Sequence, residues 1–466
     1  MYIKQLYTSC LSEAAYFIES EGQAAVIDPM REIAPYMELA KERKASILYI
    51  FETHFHADFI SGHLDLAKQT DATIVYGPET NTTFPIHLAK DGEEFRIGKL
   101  TIKAMHTPGH TPESTCYLLS DEQGRPHCIF TGDTLFVGDV GRPDLFNGGL
   151  GKEEMAEQLY DSLQKLKALP DDVIIYPAHG AGSSCGKHIG AEAYSTIGKQ
   201  KAENYAMRQT DKASFIREVT EGLDAAPQYF PLNARMNREG YTALDKILDQ
   251  GLTPLTVEDV KEKVLQGAWI LDTRAASEFA KGFIPGAVNI GLEGRFAEWV
   301  ATLFPFDVPV VLVTDSGKES EAIVRMARVG FDRVAGYLAG GFAKWQEAGE
   351  PVDLVIEVEP DEVLMDIPYD NNMLIVDVRK EAEFANEHVR GALNLPLNDM
   401  ADPAVLAQLD ERDNLYVHCQ SGYRSMVACS VMKKEGFHNL RNITGGFNHL
   451  KETPGIALEK DEQAMN

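Results

Sequence analysis

The sequence predicts an α/β protein in three parts: a sandwich of two sheets covered by helices, then two smaller α/β domains with parallel sheets. Three observations carry this expectation. The 466-residue length exceeds what a single core ordinarily organises and suggests roughly three domains. Strand-like and helix-like runs alternate through the N-terminal part, and the C-terminal part repeats itself at a fixed spacing.

In residues 1–250, Ala15–Glu19 and Ala24–Asp28 read as strands around the turn Ser20-Glu21-Gly22, and Ile33–Ala40 has helical spacing. The strand Ile47–Phe51, the helix Ser61–Gln69 and the strands Thr73–Tyr76, Leu100–Met105, Ser114–Leu119 and His127–Phe130 follow. A long helix, Glu153–Ala168, and the strand Val173–Tyr176 complete the pattern. Mixed strands and helices of this kind suit two sheets with helices on their outer faces. After a short helix, Ala213–Leu223, the chain is expected to turn irregular through Ala226–Pro231. Gly251-Leu252-Thr253-Pro254 then marks a boundary.

The repeat follows that boundary. Asp272-Thr273-Arg274 matches Asp377-Val378-Arg379, Gly286-Ala287-Val288-Asn289 matches Gly391-Ala392-Leu393-Asn394, and Gly340-Gly341-Phe342 matches Gly445-Gly446-Phe447, each displaced by 105 positions. Each copy alternates short apolar strands (Trp269–Leu271 and Val310–Val313; Leu374–Val376 and Leu415–Val417) with helical stretches, the pattern of a parallel sheet with crossover helices. The copies are placed at 251–354 and 355–466.

Composition narrows the function. A formal charge of −27 argues against nucleic acid or an anionic membrane as partner. No apolar run approaches the ~20 residues needed to cross a bilayer, and the start has no basic region followed by an apolar core. Six cysteines in a chain this long, without Cys-x-x-Cys, read as reduced thiols, so a cytoplasmic location is expected.

Chemistry concentrates at strand ends, where a rigid sheet presents side chains on loops. His54, His56 and Asp58 follow the strand Ile47–Phe51 in Thr53-His54-Phe55-His56-Ala57-Asp58-Phe59. His110 lies in Pro108-Gly109-His110, Asp133 in Thr131-Gly132-Asp133-Thr134, and His179 in Pro177-Ala178-His179-Gly180. Each alone has an ordinary structural reading. Together, imidazoles and carboxylates at four strand ends form a donor set for a divalent transition metal.

The order His-x-His-x-Asp, Gly-His, Gly-Asp-Thr, Pro-Ala-His resembles the metallo-β-lactamase fold, over nearly all of residues 1–250. With Gly138-Asp139-Val140-Gly141-Arg142-Pro143-Asp144-Leu145 it resembles the persulfide dioxygenases of that superfamily. The resemblance implies one Fe(II) per chain, with zinc able to replace it in purified protein, held by His54, His110 and Asp133. Two imidazoles and one carboxylate leave about three of six positions open, as a non-haem oxygenase requires. Binuclear hydrolases of the fold carry a further histidine after the motif's Asp. Here that position is Phe59, so His56, Asp58 and His179 are expected to hydrogen-bond the ligands and shape the pocket. Cys185, in a glycine- and serine-rich loop, is a candidate for handling sulfur near the metal. Arg142 and Lys187 are candidates for meeting an anionic thiol cosubstrate.

Both repeats resemble rhodanese domains. In the second, His418-Cys419-Gln420-Ser421-Gly422-Tyr423-Arg424-Ser425 joins a strand to a helix. Such a loop can aim backbone N–H groups at the Cys419 sulfur, and Arg424 is expected to favour the thiolate and an anionic acceptor. In the first copy Thr314 stands at the cysteine position, Glu319 at the arginine position and Phe283 where the second has His388, so this copy is expected to be inactive.

The arrangement resembles persulfide dioxygenase–sulfurtransferase fusions of sulfide detoxification. It implies oxidation of a low-molecular-weight thiol persulfide by O2 to sulfite, coupled to sulfur transfer through a Cys419 persulfide with sulfite or thiosulfate as partner, in a homo-oligomer (dimer or tetramer). Two alternatives stay open: a binuclear glyoxalase-II-like thioester hydrolase with a sulfur-relay domain, and a non-oxidising sulfur carrier.

Overall fold

The computed structural model describes residues 1–146 and 148–461. It divides into two compact units, one of residues 1–244 with 327–330, the other of residues 245–326 with 331–466.

The first unit contains two six-stranded sheets. One runs in sequence order through Tyr2–Thr8, Glu13–Ser20, Gln23–Ile27, Ser46–Phe51, Thr73–Tyr76 and His87–Leu88. The other is ordered Ser195–Thr196, Ile174–Pro177, Pro126–Gly132, Thr115–Ser120, Leu100–His106, Glu94–Ile97. The period-two alternation of strands divides their side chains between two apolar layers. Tyr16, Ile18, Ile27 and Phe51 meet Ile102, Tyr117, Leu119 and Phe130 between the sheets. Phe17, Val26 and Ile50 face outward with Tyr36 and Leu66 of the helices Ala34–Arg43 and His63–Thr70. Across the other sheet, Ile129 and Ile175 pack with Leu159, Leu163 and Leu166 of Lys152–Lys167. The result is the αββα sandwich that the sequence predicts.

Several short elements escape the sequence reading, among them Glu94–Ile97 and Ile197–Glu203, and two others show why. Tyr2–Thr8 is a half-exposed strand at a sheet edge, with no clean alternation. The stretch expected to be irregular is broken at Phe230 by a helix, Phe230–Glu239, with Pro231 in its first turn. That helix buries Asn233 and Asn237, polar residues that hydrophobic periodicity does not register.

The second unit holds two five-stranded parallel sheets with the same order. The first runs Pro254–Leu255, Val334–Leu338, Val310–Val313, Trp269–Asp272, Val288–Asn289, and the second Ile356–Val358, Leu440–Ile443, Asn414–His418, Met373–Asp377, Leu393–Asn394. The helix Leu244–Gly251 begins at the boundary between units, and Gly251 lies against Ile323 and Val334, so close that a Cβ there would stand 2.8 Å from the Ile323 side chain.

Candidate metal centre and sulfur-transfer loop

The strand Ser46–Phe51 ends in a loop that is almost wholly buried. Its backbone is pinned by Asn237, which donates to the carbonyls of His56 and Phe59 (2.8 Å each) and accepts from Ser61 N–H (3.0 Å). Asp28, at the end of the neighbouring strand, accepts from the N–H (2.7 Å) and hydroxyl (2.8 Å) of Thr53.

These bonds fix a tautomer. Thr53 has spent its only hydroxyl proton on Asp28, so the 3.0 Å contact between its oxygen and His54 Nδ1 requires Nδ1–H to donate. His54 Nε2 then carries a lone pair, 3.8 Å from Asp133 Oδ2. His110 is held alike: its Nδ1 lies 2.9 Å from the Arg142 carbonyl and its Nε2 3.3 Å from the same Asp133 oxygen. Burial lowers the pKa of both imidazoles, His54 further because His56 and His110 stand beside it, while Asp133 opposes the shift at His110. Both are therefore neutral, the form that binds metal.

Both Asp133 oxygens are buried without a hydrogen-bond partner. A carboxylate so placed is costly unless a cation compensates it. Ligand atoms of His54, His110 and Asp133 converge within 4.8 Å, and the donor types, tautomers and orphaned carboxylate all fit a metal at this set.

His56 stands outside that group. Its Nε2 lies 3.0 Å from Asp28 and 3.8 Å from Glu52. Burial alone would lower its pKa, but the carboxylates around it, Asp28 first and then Glu52 and Asp58, together lift it to about 9. Its Nε2 is turned to carboxylates and away from the converging atoms of His54, His110 and Asp133. The Phe59 ring lies 4.4 Å from that of His56 and is fully buried.

Asp58 and His179 lie together, Oδ2 to Nε2 at 3.6 Å, and Cys185 completes a second converging group. His179 Nε2 is also 3.4 Å from Asp133 Oδ1, its one approach to the first set. Within a loop that is otherwise exposed or half-buried, the Cys185 thiol is buried, and burial followed by the Asp58 and Asp133 charges pushes its pKa well up.

Two basic residues expected at the substrate are otherwise engaged. Arg142 is buried, bidentate to Asp144 (2.7 and 2.8 Å) and bonded to the Ser184 and Asp224 carbonyls. Lys187 donates to the carbonyls of Glu218 and Glu221. The buried acids Glu13, Asp28 and Glu52 were invisible to sequence reasoning. Asp28 could have been found from its place between the strand Gln23–Ile27 and Pro29, beside the motif strand.

In the second unit, Cys419 closes the strand Asn414–His418 and precedes the helix Tyr423–Lys434. Gly422 N–H donates to its sulfur at 3.1 Å, and Phe447 N–H to its carbonyl at 2.7 Å. Gly446 permits that approach: a Cβ there would sit 2.4 Å from the Cys419 carbonyl, and its φ is +58°. Arg424, expected to face the sulfur, is held instead by Glu383 in a bidentate pair (2.6 and 2.8 Å). Oriented amides, with the helix N-terminus, are what the structure aims at Cys419.

The chain matches the description "Metallo-beta-lactamase superfamily" over residues 9–179, and "Rhodanese-like domain" over 256–348 and 360–453. It is 32% identical over 216 residues to a probable hydroxyacylglutathione hydrolase of Schizosaccharomyces pombe, covering 41% of this chain and 80% of that protein. A hydroxyacylglutathione hydrolase of Tolumonas auensis is 37% identical over 168 residues, 35% of this chain and 60% of the relative. The crystal structure of a metallo-beta-lactamase from Staphylococcus aureus subsp. aureus COL superimposes with a TM-score of 0.65 at 33% identity, covering 72% of this chain and 98% of that one. Fold and donor set define a metal-binding enzyme class. The chain belongs to the metallo-β-lactamase superfamily, and it carries two rhodanese-like domains behind that unit.

Proposed function

We propose that this protein is a non-haem iron persulfide dioxygenase coupled to a sulfurtransferase. The observation that supports this best is a set of two histidines and one carboxylate whose neighbour His56 is turned to Asp28, in one chain with the Cys419 loop. His54, His110 and Asp133 would hold Fe(II), which supplies the redox chemistry between dioxygen and a persulfide sulfur. Persulfide, O2 and water give thiol and sulfurous acid, so atoms and electrons balance.

At the second centre the Cys419 thiolate attacks the outer sulfur of a second thiol persulfide, whose S–S bond breaks and whose thiol leaves. The outer sulfur of the resulting Cys419 persulfide is then attacked by sulfite. The S–S bond breaks, its electron pair stays on Cys419 as thiolate, and thiosulfate leaves. Gly422 N–H and the helix N-terminus stabilise that thiolate. Low-molecular-weight thiol persulfides such as glutathione persulfide are the substrate class.

A second reading, a binuclear thioester hydrolase, draws on the relatives named hydroxyacylglutathione hydrolase and on the Asp58, His179, Cys185 group. Oxygen uptake and thioester cleavage, measured on iron-loaded and zinc-loaded protein, separate the two. The iron form is expected to consume O2 in step with glutathione persulfide. Hydrolysis of a glutathione thioester by the zinc form, with no O2 uptake by the iron form, overturns the proposal.

A further inference from the structure

We infer that the cavity at the end of the first rhodanese-like sheet is a binding site for an aliphatic di- or polyamine. It opens where the strand Val310–Val313 ends, on the loop equivalent to the one that carries Cys419, and its volume is about 420 Å3. That volume suits an organic ligand and exceeds what a bare ion fills. Thr314, at the position of Cys419, is only 5% exposed and lines the cavity, and its hydroxyl has no hydrogen-bond partner among the described residues. A buried hydroxyl so placed finds its partner in whatever enters the cavity.

Charge decides the ligand. Two cations line the wall, and both are already matched. Arg274 is bidentate to Asp272 (2.9 and 2.6 Å), donates to the Gly282 carbonyl (3.0 Å) and lies over the Phe342 ring. Lys281 is paired with Glu278 at 2.7 Å. Asp315 and Glu319 line the same cavity, and among the described residues neither carboxylate has an ion pair or a hydrogen bond. In the second copy these two positions hold a neutral Gln420 and a cationic Arg424, so a loop suited to sulfur anions there is suited to cations here. Glu278, Asp315 and Glu319 do not form one of the converging groups that could hold a metal ion. Separated carboxylates with an uncharged wall between them, supplied by Gly341, Phe342 and Ala343, match ammonium groups joined by methylenes.

A chain of charge −27 attracts polyamines diffusely, so the test must separate a site from a surface. The full chain is titrated with spermidine by calorimetry at physiological ionic strength, and one saturable equivalent is expected. Glu319→Gln, nearly identical in shape, should weaken it by roughly 10- to 100-fold, as loss of a charged hydrogen-bond partner does. Thr314→Val, which removes only the hydroxyl, should weaken it by about fivefold. Glu347→Gln removes the same charge at an exposed position outside the cavity and should leave it unchanged. Absence of a saturable equivalent, equal affinities in wild type and Glu319→Gln, equal losses in Glu319→Gln and Glu347→Gln, or displacement of spermidine by equimolar Mg2+ overturns the site. Oxygen uptake and sulfur transfer rest on other residues, so this proposal and the proposed function fail separately.

Discussion

Thr314 and Cys419 end equivalent strands of two sheets with identical order, yet only one can form a persulfide. Around them the scaffold is duplicated in detail. Arg274 is bidentate to Asp272 and lies over Phe342 at 4.2 Å; Arg379 is bidentate to Asp377 and lies over Phe447 at 3.9 Å. Asn289 donates to the carbonyls of Asp272 and Arg274, and Asn394 to those of Asp377 and Arg379. Phe279 stacks on Phe283 at 4.0 Å, Phe384 on His388 at 3.7 Å. What differs is the loop and its charge. Arg424 pairs with Glu383, whereas their counterparts Glu319 and Glu278 are both acidic, and Glu278 turns to Lys281. A cavity of about 420 Å3 persists in the first copy, lined by Thr314, Ser316 and Glu319. The buried scaffold residues are thus duplicated, while the residues of the loop and their charge are not.

The largest effect expected to sharpen that contrast is on turnover. Cys419→Ser should lower sulfur transfer by on the order of 10³-fold or more, as loss of a nucleophile does, with oxygen uptake intact and sulfite replacing thiosulfate. Transfer that survives in Cys419→Ser would mean the first copy is not inert. Next come the arginine stacks. Phe342→Ala and Phe447→Ala should each cost about 3–5 kcal/mol in thermal or denaturant unfolding, since both rings are buried. Unequal losses would break the claim of a shared scaffold.

The smallest effect concerns Glu383→Gln. The pair is part-exposed (side chains 21% and 33%), so its removal should cost less than about 1 kcal/mol at neutral pH. The hydrogen bond from Arg424 holds the Glu383 carboxyl below its ordinary range. A depressed folded pKa stabilises above the unfolded value and is lost as pH falls through the folded one. The wild-type advantage over Glu383→Gln should therefore vanish in acid, as denaturation curves across that range would show.

Much of this was readable from residues alone. His54, His110, Asp133 and Cys419 announce themselves because strand ends flanked by glycine or proline expose chemistry, and the 105-residue displacement exposes the repeat. Glu13, Asp28 and Glu52 did not, because a buried acid and a solvated one look alike in a strongly acidic sequence. The helix Phe230–Glu239 escaped because its inward face carries asparagines. Arg424 and Arg142 were assigned to anions that a sequence can suggest, but their carboxylate partners, Glu383 and Asp144, emerge only on folding.

The helix that starts at the Cys419 loop also touches the first copy along its length. Tyr423 hydroxyl donates to the Gly291 carbonyl (3.2 Å), Ser430 hydroxyl accepts from Asn289 N–H (2.9 Å), and the Lys434 ammonium lies 3.7 Å from the centre of the Trp269 ring. Asn289, Gly291 and Trp269 thus form part of the support of the helix that carries the Cys419 loop, so a substitution in the first copy is expected to reach the loop of the second.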